Sequence, residues 1–218
     1  MPRLKVIDID PVDVDADGLA QAQSPSGAGN LTLNGALISG GTYTAGDGDG
    51  ARQLSVLSAA DDTGRTLTVT GTDADGRAQT EEITPANAGT KEGTKYFRTV
   101  SSVAIDAASA GNLSVGTVDE LVSPTYPLNR HSTAGALAQI DITGTIDVTV
   151  QVTADDIQNV SSDQESIPWV STQDTGLVTI TADDLGSLDV GATACRLVVN
   201  SHSSGGEVQM YISQPQDR

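Results

Sequence analysis

The sequence predicts an all-β protein: two antiparallel β-sandwich domains, jelly-roll-like, preceded by an extended amino-terminal arm. Three observations lead there. Apolar and polar residues alternate with period two through segments rich in Val, Ile and Thr. Clusters of turn-forming residues separate these segments at short intervals. No segment holds a 3.6-residue period over three turns. Period two marks a strand because successive side chains on an extended backbone point to opposite faces.

Residues 1–22 read as the arm. Val6-Ile7-Asp8-Ile9-Asp10 and Val12-Asp13-Val14-Asp15 alternate like strands, with Pro11 interrupting the phase between them. Their backbone N–H and C=O groups need partners. Strand addition to another subunit would supply them, with Val6, Ile7, Ile9, Val12 and Val14 as the contact residues. Pairing within the chain's own domain would do so equally well.

Residues 23–119 read as the first sandwich. Strands are expected at Leu31-Thr32-Leu33, Leu54-Ser55-Val56 and Thr66-Leu67-Thr68-Val69-Thr70, divided by Asn34-Gly35, Gly40-Gly41, Asp62-Thr63-Gly64, Asp75-Gly76 and Ala88-Gly89. A boundary falls near Asp119 to Pro127, where Pro124 and Pro127 favour extended linker backbone. Residues 120–218 form the second sandwich, with strands at Thr145 to Val150, Val178-Thr179-Ile180, Leu197-Val198-Val199 and Val208 to Ile212. Each body is about 100 residues, a common sandwich size.

Composition limits the partners. Aromatic residues make up 3% of the chain, so any core must be built from Val, Ile, Leu and Ala. Lys+Arg of 11 against Asp+Glu of 29 gives a formal net charge of −18. Such a surface repels phosphate backbones and anionic lipid heads, and the densest basic group, Lys91, Lys95 and Arg98, includes Glu92. Neither nucleic acid nor membrane is expected as a partner. No apolar run approaches the roughly 18 residues of a membrane span, and the amino terminus lacks a signal-peptide pattern. The single cysteine, Cys195, sits in a strand-like context and reads as a buried, inert thiol.

Residues with catalytic or ligand chemistry are few. His131 and His202 belong to no recognisable motif and read as solvated loop residues. Asp47-Gly48-Asp49-Gly50 and Asp73-Ala74-Asp75-Gly76 resemble the start of a calcium loop, but the later ligand positions do not follow the usual pattern, although Glu81 and Glu82 follow the second group. Asp-x-Asp-Gly is also what a β-turn selects, because Asp caps the turn and Gly takes positive φ. Turns are therefore expected, and no metal, cofactor or catalytic residue is assigned. Trp169 reads as a core anchor in preference to a sugar-stacking platform.

A series of segments resembles virion proteins of tailed bacteriophages. In the first body these are Gly27 to Leu37, Leu67 to Asp73, Thr94 to Val100 and Gly111 to Thr117; in the second they are Ser123-Pro124, Pro127-Leu128-Asn129-Arg130, Val148 to Asp156 and Cys195 to Ser201. Their order and spacing carry the resemblance across most of the chain after the arm. It implies a non-enzymatic virion component, a capsid decoration or cement protein on the outer capsid surface. Its partners would be the major capsid protein and further copies of itself, a trimer being favoured. Another virion position, a head-to-tail adaptor, tail or fibre-base component, is the first alternative. A glycan-binding module using Trp169, with a structural cation near Asp73 and Asp75, is the second.

Overall fold

Every regular element except two single-turn 3₁₀ helices is a β-strand in the computed structural model, which describes residues 3–129, 135–155, 157 and 164–214. The strands form three antiparallel sheets. Two compact units divide the chain. One comprises Val14–Ala45 and Ala51–Asp119; the other comprises Met1–Asp13, Gly46–Gly50 and Glu120–Arg218. The opening residues therefore belong with the carboxy-terminal unit.

In chain order the elements are β1 (Arg3–Ile9), β2 (Ala20–Gln23), β3 (Gly29–Asn30), β4 (Ile38–Ser39), β5 (Thr42–Thr44), β6 (Ala51–Ser58), β7 (Leu67–Thr72), β8 (Ala78–Ile83), β9 (Thr90–Phe97), β10 (Thr99–Ile105) and β11 (Leu113–Val122). Then follow β12 (Tyr126–Pro127), β13 (Leu137–Thr143), β14 (Ile146–Thr153), β15 (Val170–Ser171), β16 (Asp184–Ser187), β17 (Ala194–His202) and β18 (Glu207–Gln214).

The unit of residues 14–45 and 51–119 has one sheet ordered β4-β5-β10-β7-β8, with β3 on β10. Its other strands are β9, β6, β2 and the first seven residues of β11. Leu54, Val56, Leu67, Val69, Phe97, Val103, Leu113 and Val115 meet in its core. That core is aliphatic except for Tyr43 and Phe97, as the composition requires. On β7, a Cβ at Gly71 would lie 1.8 Å from the Thr99 carbonyl oxygen, so the β7–β10 pairing depends on a residue without a side chain.

One irregularity in this unit is repaired by side chains. The β6–β9 register passes from Gln53↔Tyr96 to Ser55↔Glu92, which leaves extra residues on β9 with no partner in the ladder. The buried Glu81 of β8 fills the gap. Its carboxylate accepts the Thr94 N–H at 2.5 Å, the Thr94 hydroxyl at 3.0 Å and the Lys95 N–H at 3.4 Å. Two residues along the same face of β8, Gln79 donates to the Tyr96 carbonyl at 2.5 Å. Gly93 gives the carboxylate room, since a Cβ there would meet Glu81 Oε2 at 2.7 Å.

The other unit has a four-stranded sheet ordered β1-β18-β13-β16, faced by β15, β14, β17, β12 and the last residues of β11. The inner faces interdigitate as an aliphatic core that includes Ile7, Ile9, Ile140, Val148, Val150, Leu197, Val199, Met210 and Ile212. Burying one such side chain contributes roughly 1.5–3 kcal/mol. Both edges of the four-stranded sheet are capped by an aspartate from a neighbouring loop. Asp49 accepts the outward Asp8 N–H at 3.1 Å, and its own N–H donates to the Asp8 carbonyl at 2.7 Å. At the far edge, Asp174 accepts the Ser187 N–H at 2.8 Å while capping the 3₁₀ turn Thr175–Leu177.

Two expected strands are absent from the described residues. Leu31-Thr32-Leu33 is irregular because Gln23 takes the place of a ladder strand, accepting the Thr32 N–H at 2.9 Å and donating to the Thr32 carbonyl at 3.0 Å. Val178-Thr179-Ile180 makes only a bridge between Val148 and Ile180. Thr179 has φ of 53°, outside the range a strand allows, and its N–H donates to the Thr149 hydroxyl.

Candidate functional site

The arm residues part company in the structure. β1 pairs along its whole length with β18, from Arg3↔Gln214 to Ile9↔Val208. Of the two ways to satisfy its backbone, this is pairing within the chain. Ile7 and Ile9 are buried in their own unit's core. Val6 is half-buried, on the opposite face of the strand. Val12 is half-buried and its N–H donates to Asp47 Oδ1 at 2.8 Å. Val14 is exposed and counts with the other unit.

The Asp-x-Asp-Gly segments are turns and clips. Gly48 has φ of 64°, and a Cβ there would lie 2.6 Å from the Asp8 carbonyl oxygen; glycine lets the 46–50 loop close on β1. In the β7–β8 turn, Asp73 Oδ1 accepts the N–H groups of Asp75 and Arg77 at 2.9 and 2.8 Å, and Gly76 takes φ of 79°. Asp75 pairs with Arg77 at 3.2 Å. No group of three or more His, Cys, Asp or Glu suited to a metal occurs among the described residues.

Cys195 is fully buried in β17, and burial pushes its thiol far above the ordinary range. Deprotonation there would place a charge in an aliphatic core, so the group is a poor nucleophile. His131 lies outside the described residues. His202 lines a pocket of about 370 Å³ at the end of the carboxy-terminal unit, with Thr145, Asp147, Thr181, Ser201 and Ser203. The ladder pairs Ile146 with His202 and Asp147 with Ser201. The two side chains leave adjacent pairs of the ladder, and both border the pocket. Asp147 Oδ1 accepts the Asn200 amide at 3.0 Å, beside the register shift between Asp147 and Val148.

Trp169 departs from the expected core position. It is half-buried, with the Arg196 guanidinium 4.7 Å from its ring centroid. Arg196 is itself buried, donates to Glu165 at 2.6 Å and to Gln151 at 2.8 Å, and so links β17 and β14 to the 3₁₀ turn Gln164–Ser166. Cation–π attraction and a charge-assisted bond hold the ring as a cover over the sheet. A lone tryptophan gives no sign in the sequence that an arginine 27 residues on will stack against it.

No helix among the described residues is long and apolar enough to cross a membrane. No family model matches the chain, and no curated protein matches it. Among solved structures, the major capsid protein P2 from Bacteriophage PM2 aligns at 11% identity over 98% of this chain and 99% of that one, with a TM-score of 0.19. At that score the two chains do not share a demonstrable fold.

Proposed function

We propose that the protein is a non-enzymatic structural component of a virion, a capsid decoration or cement protein that attaches to the outside of the major capsid lattice and associates with further copies of itself. The observation that carries this reading is where the chain's reactive groups are used. Asp47, Asp49, Asp73, Asp174 and Glu81 accept backbone N–H groups at turns, edges and a register break. Cys195 is sealed in a core. An acidic chain whose carboxylates hold its own backbone suits a scaffold better than a catalyst.

The order of the phage-like segments supports the same reading. So do the thin aliphatic cores, to which association with other subunits adds stability. Counting copies in purified particles by quantitative mass spectrometry tests it. A decoration protein is present at tens to hundreds of copies, scaling with the lattice. A single ring's worth would assign it to the neck or tail, and absence from particles would remove the virion role.

A further inference from the structure

The outward face of the four-stranded sheet has a polarity that its strand pairing makes legible. In the first row across it, Leu4, Ser213, Leu137 and Ser187 stand side by side. In the next, Val6, Tyr211, Gln139 and Leu185 do the same. None of these eight residues is charged, in a chain with a net charge of −18. Leu4, Leu137 and Leu185 are 63%, 45% and 62% exposed, among the most exposed large apolar side chains described.

The third row is different. Asp8, Gln209 and Asp141 stand across it. Each carboxylate accepts a glutamine amide, Asp8 from Gln209 at 3.3 Å and Asp141 from Gln139 at 2.8 Å. Neither has a basic side chain in salt-bridge range among the described residues. The face is thus an uncharged patch, half of its residues aliphatic, bordered on one side by carboxylates that no basic side chain pairs among the described residues.

We infer that this face seats the protein on a partner protein whose contact surface is aliphatic opposite the leucines and carries lysine or arginine opposite Asp8 and Asp141. The inference rests on the virion reading above, under which that partner is the capsid lattice subunit. Charge complementarity selects the occupant. A second copy would bring another strongly negative surface to the acidic border, whereas a basic border turns the same carboxylates into interfacial pairs. The three exposed leucines, spread from one edge strand of the sheet to the other, have apolar area to lose on contact.

Particles prepared without the protein, by deleting its gene from the phage that encodes it, provide the probe. Purified wild-type and variant chains are added back, and bound copies are counted after sedimentation. The Leu137→Asp/Leu185→Asp pair is expected to raise the half-saturating concentration at least about tenfold. Asp8→Asn/Asp141→Asn should raise it about threefold or more and flatten its dependence on salt. Leu137→Ser/Leu185→Ser serves if the aspartate pair does not fold, with circular dichroism as the check.

Wild-type binding with full binding by the folded leucine variants overturns the inference and leaves the virion reading standing. Failure of the wild type to bind, together with its absence from native particles, overturns both. A wild-type dimer in sedimentation equilibrium that the leucine variants dissolve assigns the face to a second copy, and that also overturns the inference.

Discussion

Replacing Glu81 with alanine isolates the repair of the β6–β9 register break. The carboxylate holds the Thr94 N–H and hydroxyl at 2.5 and 3.0 Å and lies within 3.4 Å of the Lys95 N–H. A hydrogen bond to a charged acceptor contributes about 1.5–3 kcal/mol, and an orphaned donor costs up to about the same when water cannot reach it. Thr94 is solvent-exposed, so its hydroxyl and part of its N–H are rescued by water. The net loss is then about 2 kcal/mol. Glu81→Gln keeps one acceptor oxygen and should lose about half as much.

Gly93→Ala, which would push against Glu81 Oε2 from 2.7 Å, should cost a similar amount. Because it acts through the same carboxylate, its cost should shrink sharply in the Glu81→Ala background. Urea denaturation followed by circular dichroism measures the free energies, and exchange of the Thr94 amide reports the local effect directly. If Glu81→Ala lies within about 0.5 kcal/mol of wild type, or the two substitutions are additive, the carboxylate is not the patch that holds β9, and the reasoning from register to side chain is wrong.

Four further outcomes are expected. Cys195 should resist a thiol reagent such as DTNB at pH 8 in the native protein and react at the rate of unfolding, because its thiol is buried and held protonated. Arg196→Ala should destabilise the carboxy-terminal unit by about 2–4 kcal/mol and red-shift Trp169 fluorescence, with Arg196→Lys recovering less than half. Asp61 should titrate below its ordinary value in NMR, held there by the Thr63 hydroxyl and N–H, and Thr63→Val, which removes the hydroxyl and keeps the N–H, should raise it part of the way back. The sign is that of a depressed carboxylate: any stabilisation is present above the ordinary pKa and disappears as pH falls through the lowered one. Asp49→Ala should speed exchange of the Asp8 amide and cost about 1 kcal/mol or less.

Period-two alternation was sufficient to identify the β class, and the Asp-Gly pairs located the β7–β8 turn, because both signals are local. Cys195 was readable for the same reason, from its apolar neighbours. The fate of β1 was not readable. Its partner β18 lies some 200 residues away, as the Asp8–Gln209 contact shows, and nothing within β1 distinguishes that strand from a strand on another subunit. Leu31 to Leu33 and Val178 to Ile180 carry strand-like composition, but Gln23 and the left-handed backbone at Thr179 take them out of the ladders. The outward apolar face was visible only as Val6. Its other members come from β13, β16 and β18, and only the register aligns them.

The paired aspartate caps have a consequence for self-assembly at high concentration. Open sheet edges are templates on which identical chains add end over end into fibres. With Asp49 clipped to one margin and Asp174 to the other, an incoming strand meets a carboxylate where it would need a free N–H. Extension of this four-stranded sheet is opposed at both margins, so crowding many copies together need not propagate it into fibres.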